Sequence, residues 1–282
     1  GVAWQRGRYA VVAAGRSGLR VVDAAADGGP REIGSWVGEA ELVDVTVVGD
    51  IAYAADAGTR AMVHLVDLTD PLLPRWIGAL AEPAPRASAL VASGRFVAVG
   101  LEPRQLVVLD AADPRAPRVV AQLDLPGATL ALASAGTRLY VLCGRPERRP
   151  MLLVLDLGAE GTVTARTAAT TDLPLSERSL FGLAVVGDVA LVSAEGRVVA
   201  LEAHGVPPRE LGRLDLPHPA VGLAAGGTRA VAAGGGLSLL DIGDGTSPAL
   251  ATTALWPAGW PEKRNAVQVS GALVAAAQWD AG

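Results

Sequence analysis

The stretch Asp67-Leu-Thr-Asp70-Pro71-Leu-Leu-Pro74-Arg75 recurs, with the same acids and prolines, as Asp110-Ala-Ala-Asp113-Pro114-Arg-Ala-Pro117-Arg118. Each copy follows a short apolar run, Val63-His-Leu-Val66 in the first case and Leu106-Val-Val-Leu109 in the second. Weaker copies begin at Asp23, Asp156, Glu202 and Asp241, so successive copies start 39 to 46 residues apart. A period of this size, made of strands and turns, indicates an array of small sheets.

Two further markers recur with the same period. Apolar runs meet at glycine turns, and glycine supplies the positive φ that two-residue hairpins require. These turns are Gly7-Arg8, Gly49-Asp50, Gly94-Arg95, Gly136-Thr137, Gly187-Asp188, Gly226-Gly227 and Gly271-Ala272. Most units then close on a proline, as in Leu123-Asp-Leu-Pro126, because proline cannot continue a strand ladder. Each unit therefore has four strands, which we name A and B around the glycine turn, C ending at the acid, and D ending at the proline.

Repeated four-stranded antiparallel units of this length predict an all-β fold, the β-propeller. There are seven A–B hairpins but six C–D hairpins, so we expect seven blades with an incomplete last one; six blades with the final hairpin packed elsewhere is the alternative. We expect a single propeller domain over residues 1–282. Its blades are 1–38, 39–82, 83–126, 127–174, 175–217, 218–257 and a partial 258–282.

The composition excludes several classes of protein. The net charge is −5 and the chain has no long basic run, which argues against nucleic-acid binding. One cysteine, Cys143, excludes an intrachain disulfide, and no apolar segment reaches the roughly 18 residues of a membrane span. We identify no signal peptide, because Gly1-Val-Ala-Trp4 already begins a strand.

The first units carry a family resemblance. Ser17-Gly18-Leu19-Arg20-Val21-Val22-Asp23, followed in later units by Asp-Pro-x-x-Pro, resembles the LVIVD repeat. The resemblance covers the whole chain in its rhythm and about half of it in motif. It implies a bacterial or archaeal cell-surface propeller, hence an extracytoplasmic location, and it implies no particular reaction.

The residues with catalytic or metal-binding chemistry favour structural roles. An acid before a tight turn accepts hydrogen bonds from amides two or three residues later, so the repeated Asp is expected to hold its turn. His64, His204 and His218 lie in three different units and are not expected to converge on one metal. Cys143 is expected to be a buried small side chain. We therefore expect no catalytic residue, no metal and no cofactor.

Two segments are candidate binding sites. The B–C and D–A loops carry most of the unassigned polar residues, including Asp56 and the densest patch, Arg145-Pro-Glu-Arg-Arg-Pro150, which we interpret as an unusually long B–C loop. Loops on a rigid scaffold are frequent binding elements. Trp256-Pro-Ala-Gly-Trp260-Pro261 places two tryptophans near the incomplete blade, and tryptophan is enriched in protein contacts. The candidate residues are Arg145, Arg148, Arg149, Trp256, Trp260, Lys263 and Arg264.

The leading functional hypothesis is a non-catalytic scaffold or binding module that is a subunit of a larger assembly, with a protein partner completing the last blade. The alternative is a hydrolase or lyase acting at a central funnel. An enzyme would need acid–base groups on the innermost A strands, where the predicted inventory is Asp44, Ser88, Thr129, Ser179 and Asn265, without histidine. This inventory favours the binding module.

Overall fold

The structure is a computed structural model that describes residues 1–58, 63–80, 86–145, 148–159, 162–169, 182–194, 196–202, 209–243, 248–255 and 265–278. These residues form strands and turns, without helices. Six four-stranded antiparallel sheets and one two-stranded sheet follow one another along the chain, and each four-stranded sheet has its strands in sequence order. The fold is a β-propeller, as the repeat predicts.

The first three blades comprise the following strands: β1 (Val2–Gln5), β2 (Tyr9–Ala13), β3 (Leu19–Asp23) and β4 (Arg31–Trp36); β5 (Leu42–Val48), β6 (Ile51–Asp56), β7 (Val63–Asp67) and β8 (Arg75–Leu80); β9 (Ala87–Ser93), β10 (Phe96–Leu101), β11 (Gln105–Asp110) and β12 (Arg118–Asp124). Blade 4 contains β13 (Ala128–Ala135), β14 (Arg138–Arg145), β15 (Arg148–Leu157) and β16 (Val163–Ala169).

The remaining strands are β17 (Gly182–Val186), β18 (Val189–Ala194), β19 (Arg197–Glu202) and β20 (Glu210–Asp215) in blade 5, and β21 (Ala220–Gly226), β22 (Arg229–Gly234), β23 (Gly236–Asp241) and β24 (Ala249–Leu255) in blade 6. The two-stranded sheet is β25 (Asn265–Ser270) and β26 (Leu273–Gln278). The expectation of seven blades with an incomplete last one is confirmed: six sheets have four strands and a seventh has two.

The chain divides into two compact units. The first contains residues 1–129 and 157–163, and therefore blades 1 to 3. The second contains residues 130–156 and 164–282, and therefore most of blade 4 and everything after it. The single domain expected from the repeat stays a prediction.

Strand A lies next to strand A of the following blade inside each unit. In the first unit β1 contacts β5 and β5 contacts β9, while in the second unit β17 contacts β21 and β21 contacts β25. The core lies between the faces of successive sheets, where small and branched side chains from the B and C strands interlock. Tyr53, Val97 and Leu109, all fully buried, belong to one such layer between blades 2 and 3. Burial of this apolar surface is the main stabilising term.

The two-stranded sheet occupies the place of a seventh blade. Val267 of β25 is buried in a cluster with Ala224, Val231 and Ala233 of blade 6. Strand β25 contacts β21 in the same way that β21 contacts β17. The alternative of six blades with a final hairpin packed elsewhere is therefore wrong.

Polar contacts at the A–B turns join neighbouring blades in the first unit. Arg6 donates to both oxygens of Asp50, at 3.0 and 2.9 Å, and the buried Gln5 donates to Asp50 Oδ1 at 2.9 Å and to the Leu68 carbonyl at 2.7 Å. Arg6 adopts a φ of 51°, a left-handed conformation that is uncommon for a residue other than glycine. The hydrogen bond from Arg6 lowers the pKa of Asp50.

The Arg6–Asp50 contact predicts a pH-dependent contribution to stability. Because the folded-state pKa of Asp50 is lowered, its contribution is present above the unfolded-state value of about 3.9 and is lost as the pH falls through the folded-state value. Arg6→Gln should lower the free energy of unfolding more at pH 7 than at pH 3, because the contribution begins to decline below the unfolded-state value. Urea unfolding at both pH values measures this. An equal loss at both pH values would contradict the electrostatic cause.

Candidate functional site

The outer edge of β26 is the feature that sets the seventh sheet apart. Strand β26 pairs with β25 from Ser270↔Leu273 to Asn265↔Gln278, and no other described strand pairs with it. In the six complete blades the corresponding B strand lies between A and C. An unpaired strand edge presents backbone N–H and C=O groups that can add another strand.

The side chains of β26 are less buried than those of strand B in a complete blade. The second residue of strand B is buried in all six complete blades; these residues are Ala10, Ala52, Val97, Leu139, Ala190 and Ala230. The equivalent residue of β26, Val274, is 42% exposed. An exposed apolar strand with a free edge is a surface to which another strand can add. Folded proteins normally cover such edges.

The seven candidate residues from the sequence give different outcomes. Arg145 and Arg148 are paired across the hairpin of β14 and β15, so the prediction of a long B–C loop is wrong: the extra residues lengthen the two strands instead. Arg149 continues β15. The backbone of these three arginines is described and their side chains are not. Trp256, Trp260, Lys263 and Arg264 lie outside the described residues, as does His204, so their role as a binding site stays a prediction.

The repeated acid holds the turn that follows it. Asp23, Asp67, Asp110 and Asp241 each accept a hydrogen bond from the amide two residues later, at distances of 2.8 to 3.1 Å. This structural role confirms the expectation for the repeat. Three of these acids also form ion pairs that the sequence pattern does not indicate: Arg8 with Asp23, Arg95 with Asp110 and Arg115 with Asp67.

An Asp–His pair in blade 2 is also not indicated by the sequence pattern. Asp56, assigned from the sequence to a solvated ligand-binding loop, is instead buried at the end of β6. Its Oδ1 accepts the amides of Glu41 and Gly58 at 3.0 and 2.7 Å, and its Oδ2 lies 3.1 Å from Nε2 of His64. The strand register accounts for this pair. His64 lies opposite Ala54, and Asp56, two residues after Ala54, is on the same face of the strand.

The Asp–His pair is closed to a substrate. The indole N–H of Trp76 donates to Nδ1 of His64 at 3.3 Å, and an indole can only donate, so Nδ1 carries no proton and Nε2–H points at Asp56. Trp36 packs against the same ring, with 5.4 Å between ring centroids. Both nitrogens of His64 are thus occupied by protein partners, whereas a general base needs one for the substrate.

A second histidine has an equally closed network. His218 is buried, with Nδ1 2.8 Å from the Pro219 carbonyl and Nε2 2.9 Å from Oγ of Ser238. Ser238 also hydrogen-bonds Thr253 at 2.9 Å and is inaccessible to solvent. A Ser–His contact is the start of a nucleophilic site, but a substrate cannot reach this serine. The network instead satisfies polar groups inside blade 6.

Other described groups fit structural roles as well. Asp44 accepts the amides of Val45 and Leu90 at 2.9 and 2.8 Å and so links inner strands β5 and β9. Cys143 is buried in β14, as expected. Among the residues that the structure describes, no three His, Cys, Asp or Glu side chains are grouped to hold a metal ion. The same residues include no helix of the length and apolarity needed to cross a membrane.

The structural role of the acid predicts a specific stability effect. Asp110→Asn should lower the free energy of unfolding by about 1–2 kcal/mol, because it weakens both the turn hydrogen bond to Ala112 and the ion pair with Arg95. Asp124→Asn, at an exposed position of β12 in the same blade, is the matched control and should change stability by less than about 0.5 kcal/mol. Urea unfolding compares the two; equal effects would remove the special role of the turn acid.

Comparisons with known proteins agree on the fold alone. No family model and no curated protein matches the chain. Among solved structures, one of the mitotic checkpoint complex matches 98% of this chain and 82% of its own, with a TM-score of 0.71 and 11% identity. The computationally designed Ika8 protein matches 97% and 78%, with a TM-score of 0.63 and 15% identity. A protein from Lactobacillus plantarum matches 85% and 78%, with a TM-score of 0.67 and 11% identity. At these identities the likeness is one of fold, so the chain is similar to these proteins in architecture.

Proposed function

We propose that this chain is a non-catalytic β-propeller scaffold that binds a partner protein through the free edge of β26. The single observation that carries the proposal is the contrast within strand B: in six blades it is buried between two neighbouring strands, whereas in the seventh it is exposed at Val274 and pairs with β25 alone among the described strands. Stacked sheets that include a strand with one open edge offer both a support and a docking edge. A subunit role is also in keeping with the mitotic checkpoint complex, a multi-protein structure by its printed description, as a neighbour in fold.

The closed polar networks favour binding over catalysis. His64 and His218 use both ring nitrogens within the protein, and the carboxylate of Asp44 accepts two backbone amides. A hydrolase or lyase would need such groups to face a substrate. No specific observation favours the enzyme alternative.

We also propose an extracytoplasmic location and membership of the LVIVD-repeat propellers. Both rest on the resemblance of Ser17-Gly18-Leu19-Arg20-Val21-Val22-Asp23 and the Asp-Pro turns to that repeat. Fractionation of cells that produce the protein from its own gene tests the location. Recovery of the protein with cytoplasmic markers only would contradict it.

The partner proposal is tested by two matched valines. Val274→Lys places a charge on the free β26, whereas Val119→Lys places one on β12, the outermost strand of a complete blade, at nearly the same exposure of 43%. The wild-type protein and Val119→Lys should purify from the native source with one stoichiometric partner. Val274→Lys should lose that partner at least tenfold, because a buried unpaired ammonium is costly. Native mass spectrometry gives the stoichiometry.

Two outcomes would contradict the proposal. One is an equal loss of partner for both valine variants, which would show that charge anywhere on the surface disrupts the complex. The other is a wild-type protein that remains a monomer, without partner, at its native concentration. Unchanged thermal unfolding of both variants controls for loss of the fold.

A further inference from the structure

The register of the complete blades specifies what the free edge of β26 should bind. Strand C ends in an acid directly opposite the first residue of strand B in all six complete blades. The pairs are Tyr9↔Asp23, Ile51↔Asp67, Phe96↔Asp110, Arg138↔Asp156, Val189↔Glu202 and Arg229↔Asp241. Two of these blades belong wholly to the second unit, so the register is a property of the repeat and not of one region.

A backbone hydrogen bond fixes the end of this register. The residue after the acid donates its amide to the carbonyl of the residue just before strand B. These bonds are Ala24 to Arg8, Leu68 to Asp50, Ala111 to Arg95 and Ile242 to Thr228, at 2.7 to 3.2 Å. The equivalent acceptor in the seventh sheet is the carbonyl of Ala272, because Gly271-Ala272 corresponds to Gly94-Arg95 and the other A–B turns. The described residues provide no donor to it.

Alternation along an antiparallel strand identifies the remaining free groups. Ser270 and Leu273 close the β25–β26 hairpin, so Leu273 and Ala275 point their backbone groups at β25. Val274, Ala276 and Gln278 therefore point their N–H and C=O groups at the open side. In a complete blade these positions are bonded to strand C, for example Val97 to Leu109 and Val99 to Val107.

From this register, and resting on the proposed function, we propose that the partner protein inserts a C–D-type hairpin into the seventh sheet. Its inner strand is apolar and ends in an Asp or Glu that lies opposite Leu273. A proline-containing turn and a second, outer strand follow. Blade 3 provides the template, Gln105–Asp110 and Arg118–Asp124, so Val107 of such a hairpin would face Ala276 of β26.

The apolar inner strand matches the exposed surface that it would cover. The inner strand of the template contains Leu106, Val107, Val108 and Leu109, each fully buried in blade 3. Its counterpart in the seventh sheet would shield the side of β26 where Val274 is now exposed. The acid need not form an ion pair there, because Ala272 stands where Arg8 and Arg95 stand in blades 1 and 3. Its role would be to hold the turn of the hairpin.

The first test uses a fluorescent peptide of residues 104–126 as the probe for such a hairpin. Binding to residues 1–282 is measured by fluorescence anisotropy. N-methylation of Val107 removes the amide that would bond to β26. N-methylation of Gln122 is the matched control, because Gln122 lies directly opposite Val107 and its amide points away from the inner strand. The Val107 modification should weaken binding at least about tenfold, and the Gln122 modification by less than about threefold.

A protein variant addresses the same hydrogen-bond pair from the other side. Ala276→Pro removes the outward amide of β26 without removing a bond to β25, whereas Ala276→Val retains it. The proline variant should weaken binding of the peptide about tenfold, and the valine variant should bind it as the wild type does. The proline removes the bond donated by Ala276 and the N-methyl group removes the bond donated by Val107, so their combination should weaken binding more than either change alone.

An isolated hairpin is marginally stable in water, so a second format removes folding of the peptide as a variable. Residues 104–126 are fused behind Gly282 through a flexible Gly-Ser linker, which raises the local concentration to the millimolar range. Hydrogen exchange should then slow at the amides of Val274, Ala276 and Gln278. It should not slow in a fusion that carries Ala276→Pro.

The outcomes separate this inference from the proposed function. If neither the peptide nor the fusion slows hydrogen exchange in β26, but Val274→Lys still releases a partner, the hairpin proposal is overturned. The proposal that the partner binds at the β26 edge is then retained. If a chain that includes any residues encoded after Gly282 already protects these amides when purified alone, supply by a partner is overturned. If neither Ala276→Pro nor N-methylation of Val107 weakens binding of the peptide, the proposed register between the hairpin and β26 is overturned.

Discussion

The antiparallel backbone ladder between strands B and C is the constraint on which the rest of the structure depends. Its register places each repeated acid opposite the first residue of strand B, where the carboxylate can accept the amide two residues later. The ladder also buries strand B between two neighbours, so its side chains can pack against the next sheet. A slip by one residue would turn every one of these side chains to the opposite face.

Strand order and blade number could be predicted because they depend on local chemistry. Glycine at Gly49, Gly94 and Gly271 adopts the positive φ that a tight hairpin requires, with values of 56° to 61°. The turn that contains the acid and the prolines marks the end of strand C in the same way. The glycine turn occurs seven times and the acid turn six times, and because each marks one hairpin, the difference predicts a two-stranded seventh sheet.

The side-chain partners could not be predicted in the same way. Arg115, which pairs with Asp67, comes from the next blade, and distance along the sequence does not show which blade contacts which turn. Asp56 looked like a solvated loop residue because polarity alone does not distinguish exposure from burial with partners. The arginine-rich segment at Arg145 and Arg148 looked like a loop because charge and proline are rare in strands, yet a lengthened hairpin accommodates both.

The exposed β26 has a consequence for the behaviour of purified material. All six complete blades use the same B–C register, so the hairpin of any copy has the amide pattern that the open edge of another copy accepts. Two copies can also meet edge to edge at β26. Concentrated protein with an uncovered β26 should therefore associate slowly into dimers or open chains, because a self-complementary strand edge does not limit growth once hairpins exchange. Occupation of that one edge would keep the protein soluble.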